Sequence, residues 1–155
     1  MDFELNLTTE PVTQICLTDA VTCPTSATIQ EVIKRLQEAK TGAAMICSED
    51  GQLKGIFTER DALKLMAREA SMDQPITSAM SENPTTIASN ASVGDAIAKM
   101  YNGGYRRLPV INDDGAPVGL VKTSLLVHYL VEHFPEAVYN LPPDPHHVTQ
   151  EREEA

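Results

Sequence analysis

Apolar residues return along this chain in two rhythms, first every three to four positions and then in short continuous runs, and the pair of rhythms occurs twice. Ile29, Val32, Ile33 and Leu36 lie at helical spacing behind Thr28-x-x-Glu31, a capping box of the kind that satisfies orphan amides at a helix start. Val93, Ala96, Ile97 and Met100 repeat that spacing behind Ser92-x-x-Asp95. Each predicted helix is followed by a short apolar run, Ala43 to Cys47 or Leu108 to Ile111. An acidic turn ending in glycine comes next, Glu49-Asp50-Gly51 or Asp113-Asp114-Gly115, and then a second run, Leu53 to Phe57 or Pro117 to Val121. This reads as strand, tight turn, strand. A second helix is predicted over 59–70 in one half and 123–133 in the other.

Sliding the sequence over itself by 64 positions aligns the halves without a gap: Thr22 falls on Thr86, Ala27 on Ala91, Ile33 on Ile97, Gly51 on Gly115 and Gly55 on Gly119. A single unit of this size leaves a sheet face and a helix face uncovered. The fold class expected is therefore α/β (α+β), two β-α-β-β-α repeats packed against each other. The repeats are expected at 12–73 and 76–134, with Ser71 to Ser78 as connector. Beyond Phe134, Pro135, Pro142, Pro143, Pro145 and the acidic end predict an extended tail over 135–155.

Composition narrows the function classes. The 155 residues leave no room for a further large catalytic domain beside two repeats. A net charge of −10, with no basic stripe interleaved with aromatics, argues against nucleic acid as a partner. The longest apolar stretch, Leu125 to Val131, is broken by His128 and too short for a bilayer, and the N-terminus lacks a secretory signal, so a cytoplasmic protein without membrane association is expected. Cys16, Cys23 and Cys47 lack ligand spacing and predict free thiols. His128 and His133 fall on different helix faces and His146-His147 has no companions, so no metal site is expected, and no catalytic arrangement is evident.

Three stretches carry a family resemblance. Gly55-Ile56-Phe57-Thr58-Glu59-Arg60-Asp61 fits a Gly-hydrophobic-x-Thr/Ser-x-x-Asp signature at every position, Gly104-Tyr105-Arg106-Arg107-Leu108-Pro109-Val110 is similar to a strand entering a central cleft, and Met80 to Ile87 is the kind of segment that opens a repeat. Together, in this order, they resemble the tandem cystathionine-β-synthase (CBS) domain pair over Val12 to Phe134. The resemblance implies pseudo-twofold packing, disc-like homodimers and an adenosyl ligand, with AMP, ADP or ATP ahead of S-adenosylmethionine or NAD, and no required cofactor. It implies a composite site, Ile56, Thr58 and Asp61 from the first repeat facing Thr85, Ile87, Tyr105, Arg106 and Arg107 from the second.

In such a site Asp61 would accept from two ribose hydroxyls and Thr58 would donate to a phosphate or ribose oxygen. Ile56 and Ile87 would sandwich the base, backbone groups near Thr85 and Tyr105 would read its edge, and the two arginines would neutralise phosphate. Gly55 would leave room for the ligand against the strand. The same Thr58-x-x-Asp61 spacing is also an ordinary capping box, and Arg106-Arg107 is also readable as a solvated strand end or a salt-bridging pair.

The second half departs from the signature, placing Lys122 and Leu125 where Thr58 and Asp61 stand, while Thr41-Gly42-Ala43 replaces Tyr105-Arg106-Arg107. One nucleotide per chain is expected, with Lys122 reaching the phosphates of the occupied site. The function expected is a non-enzymatic regulatory module that signals to an effector protein in trans. The alternative is a scaffold with empty clefts that uses the pair to dimerise.

Overall fold

The computed structural model describes residues 7–15 and 20–133. Its strands are β1 (Val21–Pro24), β2 (Ala43–Cys47), β3 (Leu53–Thr58), β4 (Ser81–Glu82), β5 (Ile87–Ala88), β6 (Arg107–Ile111) and β7 (Pro117–Lys122). Its longer helices are α1 (Ile29–Ala39), α2 (Glu59–Ala67), α3 (Val93–Gly103) and α4 (Thr123–His133). No helix among the described residues is long and apolar enough to cross a membrane. The tail from residue 135 onward, with His146 and His147, and Cys16 lie outside the described residues.

Both capping boxes form. Thr28 Oγ1 accepts from Glu31 N at 3.2 Å while Glu31 Oε2 accepts from Thr28 N at 3.4 Å, and Ser92 and Asp95 exchange the same bonds at 3.1 and 3.0 Å. Gly51 and Gly115 take φ of 82° and 81° in the strand-to-strand turns, the left-handed backbone that glycine adopts without a Cβ penalty. The prediction that α2 reaches residue 70 fails by three residues. Glu69 turns left-handed at φ 54°, and Ala70 N and Glu69 N bond back to Leu65 O and Met66 O, a Schellman ending that stops the helix.

Two sheets form: β1-β2-β3 of the first repeat with β4, from the opening of the second repeat, added at its edge, and β5-β6-β7 of the second, with the first pair parallel and the next antiparallel in both. Alternation assigns the faces. Ala44, Ile46 and Phe57 pack with α1 residues Ile29, Val32 and Leu36, and Leu108, Val110 and Val121 pack with α3 residues Val93, Ala96 and Met100. Ala43 and Met45, and Pro109 and Leu120, belong to neither core yet are almost fully buried. Those opposite faces are covered by the other repeat, which makes the arrangement a pair of sheets packed across a pseudo-twofold axis.

The segment that opens each repeat crosses to the other one. Val12 N donates to Ala91 O at 2.8 Å and Val93 N to Glu10 O at 2.8 Å, so the turn Val12–Gln14 closes the second core, where Val12 is fully buried. In the equivalent bonds Ile76 N donates to Ala27 O at 2.8 Å and Ile29 N to Gln74 O at 2.9 Å, and fully buried Ile76 of the turn Ile76–Ser78 closes the first core. The expected connector is therefore structural, since Ile76 fills a core that the first repeat cannot fill alone.

Candidate functional site

Strand alternation decides which of the expected site residues can meet. Ile56 lies opposite Met45 and Thr58 opposite Ala43, on the face of the first sheet turned to the second repeat. Arg107 lies opposite Lys122, and Pro109 opposite Leu120, on the face of the second sheet turned to the first repeat. A cleft of about 530 Å³ opens where these edges approach. Arg107 and Lys122 border it from the second repeat; Lys40, Thr41, Glu59 and Ala62 are among its borders from the first.

Thr58 and Asp61 do not themselves border that cleft; their helical neighbours Glu59 and Ala62 do. Thr58 caps α2, and Asp61 Oδ2 accepts from Thr58 N at 2.9 Å and from Thr58 Oγ1 at 3.2 Å. The Asp61 half of the capping box thus forms, its carboxylate accepting from the Thr58 amide. It leaves Asp61 half-buried, with no bond from a described residue to Oδ1. The first amide of α2 is taken, Glu59 N donating to Gly42 O at 3.0 Å, and the helix start carries the positive end of the helix dipole.

Several expectations need correction. Ile87 is only 3% exposed and pairs with Val110 inside the helix-facing core, so its side chain projects away from the first repeat and cannot sandwich a base with Ile56 without repacking. Arg106 lies at a bend just before β6 and is exposed, whereas Arg107 opens β6 and is half-buried, so the two arginines sit in different environments. Arg106 is exposed and holds α4 through its carbonyl, which accepts from Thr123 N at 3.0 Å and Thr123 Oγ1 at 3.1 Å. Tyr105 spends its amide on Met100 O at 3.1 Å, and its ring lies where a Cβ on Gly103 would sit. Gly55 makes room for Met80 and the β4 backbone at Ser81 rather than for a ligand. Thr85 is half-buried just before β5, and Lys99 Nζ binds the next carbonyl, Thr86 O, at 2.6 Å.

Arg107 is the residue whose environment is most telling. Its Nε is buried without a hydrogen-bond partner, and among the described residues no carboxylate comes within 4.0 Å of Arg106, Arg107 or Lys122, which removes the salt-bridge reading. An unpartnered buried guanidinium nitrogen is costly, and a hydrogen-bond acceptor in the cleft would relieve that cost. Lys40 and Glu59 were missed from sequence; the available signal was that Lys40 stands where the repeat has Gly104.

A family model for the CBS domain matches residues 12–68 and 76–132. The chain belongs to the CBS-domain family. This CBS pair is 30% identical to an uncharacterised 17.7 kDa protein of Acidianus ambivalens, over 78% of this chain and 73% of that one. It is 27% identical to a CBS domain-containing protein of Arabidopsis thaliana, where it spans 82% of this chain but 23% of the relative. Among solved structures it is similar to a CBS domain protein of Pyrobaculum aerophilum complexed with AMP, with a TM-score of 0.70 and 24% identity, covering 79% of this chain and 98% of that one. The CBS domain pair of protein MJ0100, in complex with 5′-methylthioadenosine and S-adenosyl-L-methionine, matches with a TM-score of 0.70 and 25% identity over 77% and 98%. These likenesses account for the two sheets and their pseudo-twofold packing.

Proposed function

We propose that this CBS pair is a regulatory module that binds one adenine nucleotide per chain in the cleft between α2 of the first repeat and the β6–β7 edge of the second. The observation that carries the reading is Arg107, a cation with a buried, unpartnered nitrogen beside Lys122 in a chain of net charge −10. Relatives of the same fold complexed with AMP or with methylthioadenosine and S-adenosylmethionine support the adenosyl class. Next to the cleft rather than on its border, half-buried Ile56 and Asp61 Oδ1 would serve a base and ribose that extend past Glu59 and Ala62, while Arg107, which does border it, offers with the α2 N-terminus a place for phosphate. In this reading Thr58 must release Asp61 before its hydroxyl can donate to the ligand.

The module acts on a separate effector protein, and two copies associate through exposed helix faces. Leu63 and Met66 on α2, Tyr101 on α3 and Val127 on α4 are more than half exposed, which supports such association. The role is regulatory rather than catalytic, and the protein works in the cytoplasm.

Isothermal titration with AMP, ADP, ATP, S-adenosylmethionine and NAD tests the ligand class. Saturable heat that is lost in Arg107→Ala supports the reading. No heat with any of the five leaves the scaffold alternative in its place.

A further inference from the structure

Three cations border the cleft, and only one of them, Arg107, is needed to hold a monophosphate. Lys40 comes from the end of α1, Arg107 from the start of β6 and Lys122 from the end of β7; Glu59 is the one carboxylate among the bordering residues. Among the described residues, no carboxylate lies within 4.0 Å of any of the three cations. Three cations against one carboxylate leave the cleft border with a positive excess that suits a multiply charged anion.

Lys40 adds an independent observation. It ends α1 in the left-handed region, at φ 53° and ψ 45°, with Thr41 N bonding back to Leu36 O at 3.1 Å. Its counterpart in the other repeat, ending α3 with the same geometry at φ 69°, is Gly104. Glycine holds that backbone without strain and lysine does not. The strained position keeps a long cationic side chain at the cleft edge, and strain of this kind points toward use of the side chain. At the β7 end, Lys122 likewise stands where the first repeat has the uncharged Thr58.

Building on the nucleotide-binding reading above, we infer that Lys40 and Lys122 extend the site into a polyphosphate subsite, so that this CBS pair selects adenosine triphosphate over the monophosphate. Arg107 takes the phosphate nearest the ribose, and the two lysines, one from each repeat, take the distal phosphates. Because they come from different repeats, the distal phosphates of a triphosphate add a second bridge across the pseudo-twofold axis that a monophosphate lacks.

The test is titration of the full chain at low ionic strength with AMP, ADP and ATP, using the wild type, Lys40→Gly and Lys122→Thr. Each lysine should contribute at least about tenfold to ATP affinity, the size of one charge-assisted hydrogen bond, and several-fold less to AMP affinity. Lys40→Gly should do so without lowering the melting temperature, since glycine suits the left-handed backbone, which separates lost binding from lost folding. Equal affinity for AMP and ATP in the wild type, or variants that weaken both ligands alike, would overturn the polyphosphate subsite while leaving nucleotide binding intact. Absence of binding by any of the three nucleotides would instead overturn the underlying nucleotide reading.

Discussion

Arg107, the first residue of β6, lies directly opposite Lys122, the last residue of β7, so two cations share one rung of an antiparallel ladder on the face turned to the other repeat. Like charges so placed destabilise a strand pair, whereas a threonine or a carboxylate at either position would not. The arrangement makes physical sense as a site that is completed by an anion.

Replacing Lys122 with glutamate should therefore stabilise the ligand-free protein by about 0.2–1 kcal/mol, the range for a cross-strand charge pair. It should at the same time weaken nucleotide binding. Urea unfolding with and without ATP measures both; a destabilised apo protein would contradict the like-charge account.

Asp61 serves the helix cap through Oδ2 and, in the proposed site, the ribose through its charge. Asp61→Asn retains an acceptor for Thr58 N and should fold nearly as well as wild type while losing at least about tenfold in affinity. Asp61→Ala removes the cap bonds as well and should cost about 0.5–2 kcal/mol of stability in addition. Melting curves beside titrations distinguish the two effects. Unchanged affinity in Asp61→Asn would remove the carboxylate from the site.

The crossed turns make each core depend on a segment that is remote in sequence. Ile76→Ala should cost about 2–5 kcal/mol and expose amides of α1 and β2, although residue 76 follows the first repeat's last helix. Val12→Ala should loosen α3 and β6 instead, although residue 12 precedes the first repeat's first strand. Hydrogen exchange followed by mass spectrometry reads which half loses protection; loss confined to each residue's sequence neighbours would exclude the crossing.

Burial, and secondarily the neighbouring Cys23 sulfur, raise the Cys47 thiol above its ordinary value of 9.0. The folded protein then keeps a proton that the unfolded chain gives up, so this contribution to stability is fully present below about pH 9 and is lost as pH rises through the folded value. Urea midpoints should fall between pH 8 and pH 10 by more in the wild type than in Cys47→Ala, and alkylation of Cys47 at neutral pH should be slow. Equal falls in both proteins would show that another group titrates.

What the amino-acid sequence determined by itself was everything that acts over a few residues. The Thr28-Glu31 and Ser92-Asp95 boxes bond across three positions, Gly51 and Gly115 answer a local need for positive φ, and the alternating apolar runs mark their own strands. Repetition at 64 positions turned those local signals into a two-repeat fold, and the Thr58-x-x-Asp61 cap was legible for the same reason. The tertiary structure alone decided which faces meet. It sent Ile87 into the core and Arg106 to the outside, filled the space over Gly55 with Met80, and carried Pro11–Ile15 and Pro75–Ala79 each to the opposite repeat. It also brought Lys40 beside Arg107 and Lys122. These outcomes depend on packing between segments about sixty residues apart, where no spacing rule operates, and the cleft beside Thr58 and Asp61 acquires its charge only when the second repeat closes over it.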